Sequence, residues 1–156
     1  MKKLFGAIAM LALSHVAASA QEIQFFGGFQ VVAVAGSCPN GTSVGEKALA
    51  RYRPRNVSLA TPHSDFNLFF DQFAEGYRLP NKNVTIAFQK VQYTSIGGGS
   101  GGSPLAQSTS FIRFTQQPAS IGPATNFVNI VGQIKGYNGD QPNCTVTFRF
   151  SGVKRQ

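Results

Sequence analysis

The stretch Cys144 to Ser151 constrains the fold most tightly, because Cys144, Val146, Phe148 and Phe150 alternate with Thr145, Thr147, Arg149 and Ser151. A period of two sends successive side chains to opposite faces of an extended chain, so this is a strand with one apolar and one polar face. Such a strand is not stable alone and needs neighbours of the same kind. Upstream, Asn138-Gly139 tolerates the positive φ of a primed hairpin turn, and Pro142 punctuates the approach to Cys144. The partner strand is Thr125 to Tyr137, with Val128, Ile130 and Ile134 in one phase and Gly132 between them as a close-approach or bulge site.

Further extended segments precede this pair. Asn83 to Thr94 carries Val84, Ile86 and Phe88 in one phase and Val91 and Tyr93 in the other, a shift that a β-bulge near Gln89-Lys90 accounts for. Gln107 to Gln117 sets Ile112 and Phe114 opposite Phe111. Glu22 to Ala35 is β-rich and aromatic, with Gly27-Gly28 as an expected bulge or bend, and Lys47 to Arg53 sets Lys47, Leu49, Arg51 and Arg53 against Ala48, Ala50 and Tyr52. In Ser64 to Leu79, Phe66, Phe69, Phe70, Phe73 and Tyr77 fall at helical spacings, while Phe66, Leu68 and Phe70 also fit period two. Phe is a poor helix former, and the start lacks a strong cap, so the segment is read as extended.

Short strands separated by Gly, Pro and Asn clusters, without sustained helical alternation, predict an all-β fold: an antiparallel β-sandwich or flattened barrel of about seven strands with little helix. The run Gly97 to Pro104 reads as a hairpin tip; it lacks the order and the strand-to-helix context of a phosphate-binding loop.

Residues 1–20 read as a cleaved signal peptide of bacterial Sec type: Met1-Lys2-Lys3, an apolar run from Leu4 to Leu13, then Ala18-Ser19-Ala20 before a cut at Gln21. The expected mature chain is a single all-β domain, 21–156, exported to a periplasm or beyond the cell. Losing Lys2 and Lys3 lowers the formal charge from +8 to +6. The run is shorter than the roughly 20 apolar residues a membrane helix needs, and no later stretch qualifies. In an oxidising compartment the two cysteines, Cys38 and Cys144, are expected to form a disulfide pinning the first strand to the last.

The inventory for catalysis is thin. His63 is the single histidine outside the signal, and its neighbours Ser64 and Asp65 cannot converge on it as a triad from adjacent positions. A secreted hydrolase would pair His63 with Asp71 or Glu75, two acids that otherwise read as solvated surface groups. No metal or other cofactor is expected, since the ligand spacings of zinc and calcium sites are missing. Four Asn-x-Ser/Thr matches, at Asn40, Asn56, Asn83 and Asn143, are read as chance in a bacterial chain rich in Thr and Asn.

The strongest constellation is basic: Arg51-Tyr52-Arg53-Pro54-Arg55 places three arginines at alternate positions with an aromatic interleaved. In an extended chain the three guanidiniums share a face suited to bidentate capture of phosphate, sulfate or carboxylate. The competing reading is a charged edge strand that discourages edge-to-edge pairing. Lys154-Arg155 adds to the positive field. The expectation is an exported, non-catalytic binding or envelope protein. Arg51, Arg53, Arg55 and Tyr52 would contact an anionic glycan, lipopolysaccharide or other polyanion, with nucleic acid not favoured. A second reading is a homo-oligomeric structural subunit assembled through strand edges.

Overall fold

The computed structural model describes residues 23–38, 42–54, 64–79, 88–97, 109–137 and 143–155. The signal segment, Arg55, His63, the Asn138-Gly139 turn, the first half of the expected Asn83 to Thr94 strand and most of the Gly97 to Pro104 run lie outside them.

Among the described residues, eight antiparallel strands run in order around a closed barrel: β1 Phe25–Ala35, β2 Lys47–Arg53, β3 Ser64–Phe69, β4 Phe73–Leu79, β5 Gln89–Gly97, β6 Thr109–Gln116, β7 Phe127–Lys135 and β8 Thr145–Lys154. The all-β, disulfide-bonded class read from the sequence holds: of its two forms, sandwich or flattened barrel, the chain takes the barrel, with eight strands among the described residues against about seven expected. The extra strand comes from Ser64 to Leu79, which is a hairpin. Phe70 donates its backbone N–H to the Phe73 carbonyl at 2.9 Å, and their rings stack with centroids 4.4 Å apart. That turn explains the helix-like spacing: Phe70 and Phe73 meet around it, and Phe66 and Tyr77 are cross-strand partners.

β1 closes on β8 in a long register from Phe25↔Lys154 to Ala35↔Thr145. Gly27-Gly28 does not break it. The shift falls between Val31 and Ala33 instead, and a second falls between Phe114 and Gln116. Gly27 serves close approach: a Cβ there would lie 1.8 Å from the Ser151 carbonyl oxygen of the neighbouring strand. Just past β1, Gly36 takes a φ of 83° that L side chains rarely adopt. Two residues on, Cys38 is joined to Cys144, with Cα atoms 4.5 Å apart, so the disulfide ties the end of β1 to the start of β8 as expected. Such a bond is compatible with an oxidising periplasmic or extracellular compartment.

An eight-stranded barrel is just wide enough for side chains to fill it, and aromatic rings do so here. Phe66 is the hub, its ring within 5.3 to 6.3 Å of Phe29, Tyr52, Phe114, Phe148 and Phe150. Small residues make room: an added Cβ at Gly132 would lie 2.5 Å from the Phe148 ring, and one at Gly152 would lie 2.4 Å from the Phe150 ring. Fully burying such side chains contributes roughly 1.5–3 kcal/mol each. The outer face carries Arg51, Asn67, Arg113, Gln133 and Arg149 at alternate positions. Exposed apolar side chains, among them Leu49, Phe69, Phe127 and Val153, are set between these polar groups.

Candidate functional site

Alternation along β2 points Lys47, Leu49, Arg51 and Arg53 outward, and Ala50 and Tyr52 into the core. The hairpin register then builds two outward rows across three strands. Arg53 lies opposite Asp65 and Asp65 opposite Arg78; Arg51 lies opposite Asn67 and Asn67 opposite Gly76. Together with Tyr77 these residues line a cleft of about 230 Å³.

Within the cleft, Asp65 is nearly buried and orders the cations on either side. It accepts from Arg53 Nε at 3.1 Å and from Arg53 Nη2, and it stands 3.8 Å from Arg78 Nε. With its amide oxygen turned toward Arg51, Asn67 accepts from Arg51 Nε at 3.2 Å and Nη2 at 2.7 Å. Arg53 is therefore the anchored member, whereas the Arg78 side chain is 56% exposed. Three arginines against one aspartate leave the cleft positive. A cluster of guanidiniums already held by acceptors costs less ordering entropy when a second anion arrives, which suits it to multidentate oxyanions.

Of the residues expected to form the site, Arg51 and Arg53 are brought together on the outer face. Arg55 lies outside the described residues. Tyr52 points the other way: its ring is buried against Phe66 and Phe114, and its hydroxyl has no hydrogen-bond partner among the described residues. Burial pushes that phenol well above its ordinary range. Tyr52 is therefore a core residue and not a contact residue, because the strand period that aligns the arginines turns the residue between them inward. Arg78, Asp65 and Asn67 were missed; their signal was the Phe66-to-Tyr77 pairing of a segment whose hairpin had not been identified.

Of the candidates for hydrolysis, His63 lies outside the described residues. Asp71 is exposed in the β3–β4 turn, whereas Glu75 is buried inside the barrel and accepts a hydrogen bond from the Tyr77 hydroxyl at 2.7 Å. No group of three or more metal-ligating side chains occurs among the described residues. At the C-terminal end, Lys154 Nζ donates to the Pro123 carbonyl, and Arg155 lies 5.5 Å from the centre of the Phe26 ring.

β2 is paired on both sides, with β1 and with β3, so its arginines do not guard an edge. Closure through β1 and β8 likewise removes the edge that strand addition at these strands would need. Comparison with protein-family models, curated proteins and solved structures yields no match, so the functional reading rests on the site.

Proposed function

We propose that the protein is an exported, non-catalytic binding protein that captures an anionic partner through the outer face of β2, β3 and β4. The supporting observation is the convergence of Arg51, Arg53 and Arg78 on one cleft, on strands that have neighbours on both sides. Asp65 holds Arg53 with Arg78 beside it, and Asn67 holds Arg51, so three guanidiniums stand ordered on one outer face with a single acid among them, an arrangement that favours a multidentate anion. The net charge of +6 expected once Lys2 and Lys3 leave with the signal raises the local concentration of polyanions around this face. An anionic glycan, lipopolysaccharide or a comparable phosphate- or sulfate-bearing polymer meets these requirements. Signal cleavage and an oxidising compartment complete the reading.

The test is binding of oxidised protein lacking residues 1–20 to heparin, lipopolysaccharide and nucleic acid at low and high salt. The expected result is binding that weakens with salt, through ordinary screening, and falls further when Arg51, Arg53 and Arg78 are replaced by Ala. Binding that ignores both salt and these substitutions, or no binding at all, overturns the reading.

A further inference from the structure

The cationic rows do not end in polar surface. The next outward row toward the β3–β4 turn pairs Leu49 with Phe69, and Phe69 with Ala74. Leu49 is 71% exposed and Phe69 39%, in a row that lies about 7 Å along the strands from Arg51 and Asn67. Around this pair a second cleft, of about 620 Å³, is lined by Gly28, Phe29, Ala48, Leu49, Phe69 and Phe70, with Lys47 and Asp71 at its rim. That volume lies within the roughly 300–1,000 Å³ of small-molecule sites. The two clefts share no lining residue but meet along consecutive rows of β2 and β3, the first continuing onto β4 and the second onto β1.

We infer that the two clefts form one amphiphile site, and that its occupant is an anionic lipid: a phosphate headgroup held by Arg51, Arg53 and Arg78, and acyl chain laid over Leu49 and Phe69 into the neighbouring cleft. This rests on the anion-binding reading and narrows it. A soluble polyanion has no use for Leu49 and Phe69, and a neutral hydrocarbon has no use for the arginines; one ligand that uses both must be charged at one end and apolar at the other. The order along β2 sets its orientation, with Arg53 and Arg51 preceding Leu49 toward the turn. Lys47 lies beyond the apolar row, at the rim of the same cleft.

The experiment compares the intact oxidised protein with L49S/F69S and R51A/R78A, each checked for an unchanged far-ultraviolet spectrum and a cooperative melt. The probes are vesicles of phosphatidylcholine alone, vesicles containing phosphatidylglycerol, and heparin. The parent is expected to bind the phosphatidylglycerol vesicles and heparin but not pure phosphatidylcholine. L49S/F69S is expected to lose at least about ten-fold in vesicle affinity, given the apolar area withdrawn, while retaining heparin binding. R51A/R78A is expected to lose both. Vesicle binding undiminished in L49S/F69S, or binding to heparin without binding to vesicles, overturns the lipid inference and leaves the anion reading standing. Failure of the parent with both anionic probes overturns the two together.

Discussion

The ring of Phe66 on β3 lies 5.3 Å from that of Phe148 on β8, with the planes 24° apart, although the two strands are not neighbours in the sheet. This contact crosses the barrel interior. It makes β3, the strand that carries Asp65 and Asn67 on its outer side, dependent on packing against the far wall.

Phe66→Ala removes a ring that touches five other aromatics. The void cannot close without moving several strands, so the loss is expected at about 3–5 kcal/mol, a large part of a typical domain's stability. Urea denaturation measures it. A loss below about 1 kcal/mol would show that the interior repacks freely.

Gly132→Ala tests the same packing from the opposite side. Its Cβ would meet the Phe148 ring at 2.5 Å and the Arg113 carbonyl oxygen at 2.8 Å. Overpacking of this kind costs about 1–3 kcal/mol. Gly28→Ala is the control, because it faces solvent on β1 with nothing within 4 Å of the new methyl, and it is expected to stay within about 0.5 kcal/mol of the parent. Thermal melts of the two variants should separate clearly.

Replacing both Cys38 and Cys144 by Ala releases the link between β1 and β8. The bridge closes a separation of 106 residues, for which chain entropy gives about 4–5 kcal/mol. The β1–β8 register continues from the bridge through Phe25↔Lys154, so the barrel is expected to remain closed but weaker. The drop in urea midpoint, compared with that of the parent, measures the contribution.

Alternation exposed much of this fold to sequence reading, and the limits follow from what alternation encodes. A period of two states which side chains share a face, and on that basis Arg51 and Arg53 were placed together and Cys144, Val146, Phe148 and Phe150 were set on one apolar face, which the barrel buries. It does not state which strands are neighbours, and a sandwich and a barrel present the same in-and-out pattern. Closure depends on β1 reaching β8, for which the Cys38 to Cys144 pair was the only local sign. Arg78 escaped notice because its place beside Asp65 depends on a turn of three residues, Phe70 to Gln72, within a run of Phe compatible with two periods. Tyr52 looked like an interleaved contact residue by sequence proximity, yet the same period sends it to the core.

Glu46, at the entry to β2, links stability to pH. Burial raises its carboxyl above 4.5, an effect partly offset by hydrogen bonding to the Tyr137 side chain and to the Ser43 backbone. The folded chain therefore holds this proton more tightly than the unfolded chain. Its contribution to stability is fully present below the unfolded value and is lost as pH rises through the raised one. Glu46→Gln mimics the protonated form, so its stability relative to the parent is expected to be higher at about pH 7 than at about pH 4. Equal differences in urea midpoint at the two pH values would remove Glu46 as the cause.

Asp65 sets the balance of the cationic cleft. It orders Arg53 and stands beside Arg78, but it also cancels one of the three positive charges that an incoming anion would meet. Asp65→Asn keeps an acceptor for Arg53 and removes the negative charge. Fold stability is expected to fall modestly, because a nearly buried charge-assisted bond becomes a neutral one. Heparin affinity at low salt is expected to rise by up to about five-fold, the equivalent of ~1 kcal/mol, because one charge that repels the incoming anion is removed. The gain should shrink as salt is added, because screening weakens the repulsion that the substitution removes. Elution from a heparin column across a salt gradient reads the change directly. Earlier elution of a folded Asp65→Asn variant would mean that Asp65 serves binding more by ordering the arginines than it opposes binding by its charge.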